Sequence, residues 1–301
     1  MIKKILPAFI FIFCFSNYTI AQDTTDVMAQ LEKDSAKTIY TTATFKTTRL
    51  INGQSVETTA PGVLDLRIDH RFSSLNGGAY EFFGLDNASM RLGFDYGISK
   101  SLMVGIGHTT YQKTYDAFFK WKILRQSTGK INMPVTVDLA ATVAYNTLKD
   151  EVIGKTLDAA DRTSVATTLV IGRKFSENLS LQIMPAFIVK DQASFFSFSH
   201  PVDFAIGIGG RQKITRHMSL NAEYYYQLPS TQEPGSANVL SIGIDIETGG
   251  HVFQLHFTNT QGMTDKAFIA ETTGKWDKGE IGFGFNLSRV FNVSKKAKSG
   301  W

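Results

Sequence analysis

From Gly62 to Phe291 the sequence alternates with a period of two, and one of its two phases is charged. In Val63 to Phe72, the apolar or aromatic Leu64, Leu66, Ile68, His70 and Phe72 alternate with Asp65, Arg67, Asp69 and Arg71. Successive side chains of a strand point to opposite faces, so this segment has one apolar and one fully ionic face. Met90, Leu92, Phe94, Tyr96 and Ile98 repeat the pattern against Ser89, Arg91, Gly93, Asp95 and Gly97, and Tyr115, Ala117, Phe119, Trp121 and Ile123 against Thr114, Asp116, Lys120 and Lys122. Counting Leu102 to Ile106 and further segments at about 133–146, 163–173, 179–190, 202–211, 218–228, 238–247, 251–259 and 280–291, the pattern predicts about twelve strands.

The connections alternate in length. Ser99-Lys100, Ser176 to Asn178, Thr215 to His217 and Thr248 to Gly250 are tight turns, while 74–88, 147–162, 191–200, 229–237 and 260–279 are mostly long and rich in Gly, Ser, Asn or Asp. Tyr111 to Thr114 is short on the long side, and Gln126 to Asn132 is longish on the short side. Short turns at one end and long loops at the other are expected of an antiparallel up-and-down transmembrane β-barrel, with periplasmic turns and extracellular loops. A soluble sandwich or lipocalin-like barrel has the same period with its apolar phase turned inward. Three features favour lipid outside: the loop asymmetry, the aromatic residues Tyr96, Tyr115, Trp121, Tyr224 and Tyr226 near strand ends, and an opposite phase dense in glycine and charge. On that reading Asp65, Arg67, Asp69, Arg71, Arg91, Asp95, Lys120, Lys122, Arg211 and Glu223 are the candidate lumen-lining residues. Gly93, Gly97, Gly105, Gly107, Gly207, Gly209, Gly282 and Gly284 would weaken exposed strands for no packing return, whereas inside a barrel they ease curvature and make room for an inserted segment.

Several stretches resemble a known family: Ala43 to Thr58 (ATFKTTRLINGQSVET), Gly62 to Phe72 (GVLDLRIDHRF), Phe82 to Ser99 (FFGLDNASMRLGFDYGIS), Leu102 to Gly129 and Gly282 to Phe291 (GFGFNLSRVF). They are similar to the Bacteroidota β-barrel proteins grouped as domain-of-unknown-function family 5777. The resemblance implies an outer-membrane barrel and transfers no site residue.

The two ends read differently from the barrel. Lys3 and Lys4 precede an apolar run from Ile5 to about Phe15, too short to span hydrocarbon, and Thr19-Ile20-Ala21 supplies a cleavage site, so residues 1–21 are expected to be a cleaved secretory signal. Cleavage removes Cys14, the only cysteine, which suits an oxidising compartment. Residues 22–61 are expected to form a periplasmic lead-in and a lumen plug. Within them 38–58 is strand-like up to Leu50, then turn-like at Asn52-Gly53 and broken at Pro61-Gly62. An extra strand would make the count odd, so a plug is favoured, with Lys46 and Arg49 pairing with carboxylates such as Asp65, Asp69 and Asp95. Residues 292–301 are read as a basic periplasmic tail after an aromatic-ended last strand, the type of signal that barrel-assembly machinery takes up.

The chain carries 31 Lys and Arg against 27 Asp and Glu. Without Lys3 and Lys4 the balance is 29 against 27, and without Lys295, Lys296 and Lys298 as well it is 26 against 27, so the basic character belongs to the ends. It argues for neither nucleic-acid binding nor an anion-selective pore.

Catalytic and metal readings find little support. His70 and His108 fall near the predicted outer rim, with Ser73, Ser74 and Asn76 beyond His70, yet both sit on the apolar phase. His200, His217, His251 and His256 are not spaced as ligands on one face, and Gly207 to Gly210 lies inside a strand instead of opening a helix. No cofactor is expected. Two main functions remain: a narrow channel or transporter for small polar or charged solutes, and a closed barrel docking a partner through its lead-in or loops, notably Gln192 to Pro201 with Phe195, Phe196 and Phe198 exposed. A surface hydrolase using His70 or His108 is a distant third. The expected surroundings are the outer membrane of a Gram-negative cell, with its lipid and lipopolysaccharide.

Overall fold

The computed structural model describes residues 37–196 and 198–294, so the signal segment, residues 22–36 and the tail from 295 lie outside the described residues. Twelve strands close into one antiparallel barrel. A short strand β1 (Thr38–Tyr40) precedes them; then come β2 (Val63–Ser74), β3 (Ala88–Gly97), β4 (Leu102–Thr109), β5 (Thr114–Leu124), a second short strand β6 (Ser127–Gly129), β7 (Thr136–Asn146) and β8 (Thr163–Lys174). The circuit continues through β9 (Leu179–Val189), β10 (Val202–Lys213), β11 (Met218–Gln227), β12 (Val239–Thr248), β13 (His251–Thr258) and β14 (Gly282–Asn292), which pairs with β2 to seal the wall. All twelve expected strands form. Closure leaves no unpaired edge, which a strand facing hydrocarbon could not tolerate.

Burial decides which face is outward. Asp65, Arg67, Asp69 and Arg71 are 0–4% exposed, while Met90, Leu92 and Phe94 are 38–39% exposed and Ile106 is 61% exposed. A soluble barrel would show the reverse. The outward phase forms an apolar belt, and strands of about ten residues tilted by roughly 40° match the ~25 Å apolar band of a membrane barrel.

The two irregular connections have local causes. The longish stretch after β5 holds β6, which pairs antiparallel with β1 outside the barrel, Thr38 opposite Gly129 and Tyr40 opposite Ser127. The short Tyr111–Lys113 turn places Gln112 (φ 52°) and Lys113 (φ 50°) in the left-handed region, at a cost of roughly 1 kcal/mol each. That turn buries the Gln112 amide, whose role emerges at the loop end of the lumen.

Candidate functional site

The inward faces of the barrel are of two kinds. One arc, from β2 through β7, is ionic: Arg67 Nη2 lies 3.1 Å from Asp69 Oδ1, and Arg91 donates to both oxygens of Asp116 at 2.9 and 2.6 Å and stands 3.6 Å from Asp69. Ser288 Oγ donates to Asp65 at 2.6 Å from the neighbouring β14. The opposite arc is apolar, built from Ala166, Val170, Met184, Ala186, Ile188, Ala205, Tyr225 and Val239. Arg211, Glu223 and Asp245 add buried charge on β10 to β12. Of the ten sequence-predicted lining residues, nine are buried on inward faces; Lys122 is half-buried and donates to Thr58 Oγ1 at 3.2 Å.

The space between these arcs is filled from both ends. From the turn end, residues 44–56 fold into the lumen as a hairpin, with Leu50 N donating to Gly53 O at 2.8 Å and Ser55 N to Thr48 O at 3.0 Å. Its entrance is held by Thr41 N on Gln126 O and Lys174 Nζ on Thr42 O, and its exit by Gly62 N on Gly97 O. Lumen side chains grip the backbone of the hairpin around the whole circumference. Glu223 accepts from the N–H groups of Ile51, Asn52 and Gly53 at the tip, and Lys120 Nζ donates to the carbonyls of Thr48, Ser55 and Glu57 at 2.7–3.0 Å. Gln254 donates to Leu50 O, Asn286 to Ile51 O, Gln182 to Gln54 O and Arg211 to the carbonyls of Ala43 and Thr44. A backbone at membrane depth must find its partners inside the protein, and here charged and amide side chains of the lumen supply them.

The expected pairing of Lys46 and Arg49 with Asp65, Asp69 and Asp95 does not occur. Lys46 bonds Glu247 near the turn end, and Arg49 lies over the Phe118 ring at 5.2 Å. The three aspartates are already engaged by Ser288, by Arg67 and Arg91, and by Thr48 Oγ1 at 3.2 Å, respectively. For Asp65 and Asp69 the partners lie on the same or the adjacent strand and are preset by register, whereas an insert side chain must be ordered to reach them; Asp95 takes the short insert hydroxyl of Thr48 instead of a long cation.

From the loop end comes a second insert. The 260–279 connection turns inward, and its helix Asp265–Ala270 is wholly buried. Phe268 packs edge-on against Tyr225 at 5.1 Å, and the Tyr225 hydroxyl sits where a side chain on Gly53 would point, so the two inserts meet at one ring. Lys266 pairs with Asp191 at 3.0 Å and Glu271 at 2.8 Å. Burial pushes its ammonium pKa down, but Glu271 and Asp191 outweigh burial and hold it above the ordinary lysine value. Gln112 completes the joint, donating to Glu271 at 2.9 Å and accepting from Asn146 at 3.0 Å. A cavity of about 480 Å³ remains at this end against the insert, lined by Ser74, Tyr111, Thr258, Thr260, Glu271 and Glu280 among others. The apolar Ala267 to Ala270, set in a polar loop, is the one sequence signal for this insert.

The loop 191–200 also departs from its sequence reading. Phe195 is 62% exposed, but Phe196 and Phe198 are half-buried, Phe198 beneath Lys190 Nζ at 4.6 Å. Lys190 in turn pairs with Glu233 at 2.8 Å, which also accepts the N–H groups of Ser199 and His200. Aromatic rings with a cation to cover are drawn in, not displayed.

His70 and His108 lie on the outer wall, His70 stacked on Phe285 at 5.1 Å and His108 against Tyr115 at 4.4 Å. Neither has a Ser, Asp or Glu hydrogen-bond partner among the described residues, where no cluster of His, Cys, Asp and Glu suited to a metal occurs either.

A closed twelve-strand wall with an apolar exterior agrees with what the sequence comparison finds. The family model of the membrane bound beta barrel domain, DUF5777, matches residues 45–291. The chain belongs to this family. The match starts inside the first insert and ends on β14, so the DUF5777 unit includes both inserts as well as the wall. A comparison with curated proteins finds no match. Among solved structures, the DUF5777 barrel is similar to the NanC porin (9% identity, 75% of this chain and 98% of that one, TM-score 0.46) and the KdgM porin (6%, 76% and 99%, 0.47). It is also similar to the COG4313 outer membrane channel from Pseudomonas putida F1 (11%, 78% and 97%, 0.48).

Proposed function

We propose that this DUF5777 barrel is an outer-membrane channel for small polar or charged solutes, exported by a cleaved signal and held shut by its two inserts. The observation that carries the reading is how the ionic arc is used. Arg67, Arg91, Asp69 and Asp116 bond mainly to one another along the wall, so a two-signed polar surface persists when the inserts leave. A lumen meant only to be filled would be better served by apolar side chains, since buried ion pairs add little stability over well-packed hydrophobic ones. Twelve strands enclose a narrow conduit, which limits passage to small solutes.

The test is single-channel recording in planar bilayers with wild type and a variant lacking 38–58 and carrying a Gly-Ser linker in place of 263–272. The channel reading expects the variant to conduct well above wild type; a correctly folded variant that stays silent overturns it.

The closure itself favours a second reading, a barrel that docks a partner through its lead-in. Co-purification of one defined protein with wild type, lost on removing 22–37 and accompanied by silence of the insert-free variant, is the outcome it expects.

A further inference from the structure

The outer wall has a depression that neither reading uses. Along β8 to β12 the outward residues are large: Ile171, Leu181, Ile183, Ile208, Leu220, Tyr224 and Ile242. The register interrupts this belt once, because outward Gly210 stands opposite both Leu181 and outward Ala222. Two adjacent positions without bulk leave a groove of about 660 Å³, rimmed by Leu181, Ile183, Ile208 and Leu220. At its turn-end edge stands Arg173, opposite Leu181 on the next strand and pointing outward.

Two wall arginines among the described residues face outward, each over an aromatic ring, Arg173 on β8 and Arg289 on β14, and of the two Arg173 is the one that lines this groove. Arg67, Arg71, Arg91 and Arg211 point inward and bond there. Among the described residues Arg173 has no ion pair; its guanidinium lies over the exposed Phe175 ring at 5.2 Å. Lys174, Lys213 and Arg216 lie at the same end, with Glu177 in the Ser176 to Asn178 turn and Glu247, already paired with Lys46, at the end of β12. A guanidinium fork held over an aromatic at the edge of the apolar belt matches a phosphate at headgroup level, and the groove beneath matches an acyl chain.

We propose that this groove is a site for one anionic phospholipid, its chain lying over Gly210 and Ala222 and its phosphate on Arg173. The occupant follows from where the groove lies: this face of a membrane-bound barrel is covered by lipid, and the unpaired cation at its edge selects charge. The proposal needs only the membrane-bound barrel and stands whether or not the lumen conducts.

The test is native mass spectrometry of the full chain released from nanodiscs of phosphatidylglycerol and phosphatidylethanolamine in equal amounts. Wild type is expected to retain phosphatidylglycerol with roughly fivefold enrichment, the order expected of one cation at an anionic surface. Arg173→Gln should bring the ratio near one, and Ala222→Phe, which fills the groove on the lipid side, should lose retained lipid of both classes. Circular dichroism checks each barrel; if either variant fails to fold, Arg173→Met and Ala222→Leu carry the same expectations. A wild-type ratio near one, an unchanged ratio in the Arg173 variant, or unchanged retention in the Ala222 variant overturns the proposal. Preferential retention of a lipid A added to the same discs overturns its assignment to phospholipid.

Discussion

At the scale of single residues, several of the lumen charges are committed to a neighbour, although Asp138 is buried with no hydrogen-bond partner among the described residues. Arg91 is the clearest, fully buried and forked onto Asp116 with Asp69 behind it. Asp116→Ala leaves the guanidinium with the longer Asp69 contact alone, and a buried charge stripped of its main partner costs about 3 kcal/mol. Urea unfolding in lipid vesicles, followed by tryptophan fluorescence, is expected to show that loss, with Asp116→Asn recovering part of it. Outside the membrane, Glu233 makes the loop end sensitive to acid. Burial pushes its carboxyl up, but the Lys190 ammonium and the N–H groups of Ser199 and His200 prevail and hold its pKa at about 2. A depressed carboxylate stabilises the native loop above its unfolded pKa of roughly 4.3, and the stabilisation is lost as pH falls from there through about 2. Amide exchange at Ser199 and His200 should therefore be slow at pH 6 and lose its protection across that window. In Glu233→Gln protection should be weak at both ends of the range.

At the scale of elements, legibility followed periodicity. Each wall strand has a lipid side and a lumen side, so period-two alternation marks it regardless of its partners, and all twelve could be read from sequence. The inserts obey no such period. Their side chains meet a lumen that is ionic on one arc and apolar on the other, so Leu50, Asn52 and Val56 are equally well buried. The first insert was betrayed only by a strand-like run ending in Asn52-Gly53 that would spoil an even count. The second was hidden inside what reads as a polar surface loop, and the partners of Lys46 and Arg49 depend on register across the whole barrel, which one sequence does not display. The hairpin tip yields a sharp test of insertion. A Cβ at Gly53 would lie 1.8 Å from Tyr225 Oη, so Gly53→Ala drives the tip off Glu223 or the ring off Phe268. Limited proteolysis within 44–57 is expected to accelerate several-fold, and adding Tyr225→Ala, which removes the obstructing ring, should restore the wild-type rate of cleavage there.

At the scale of the whole molecule, the two inserts are obstructions in series. One enters at the turn end and grips the ionic arc and Glu223; the other enters at the loop end, locked by Lys266 between Asp191 and Glu271, and they meet at Tyr225. Resistances in series add, so a path with two blocks passes current only to the extent that the larger block allows. Removing 38–58 alone leaves the loop-end block in place, and replacing 263–272 alone leaves the hairpin with its lumen hydrogen bonds intact. Each single variant is therefore expected to gain little conductance, and the variant lacking both to exceed the sum of the two gains. If the hairpin were the whole barrier, its removal alone would match the double variant; if the lumen admitted no solute, all three would stay silent. Bilayer recordings of the three variants at one salt concentration separate these cases. The ratio of single to double gains also says which of the two inserts is the larger block.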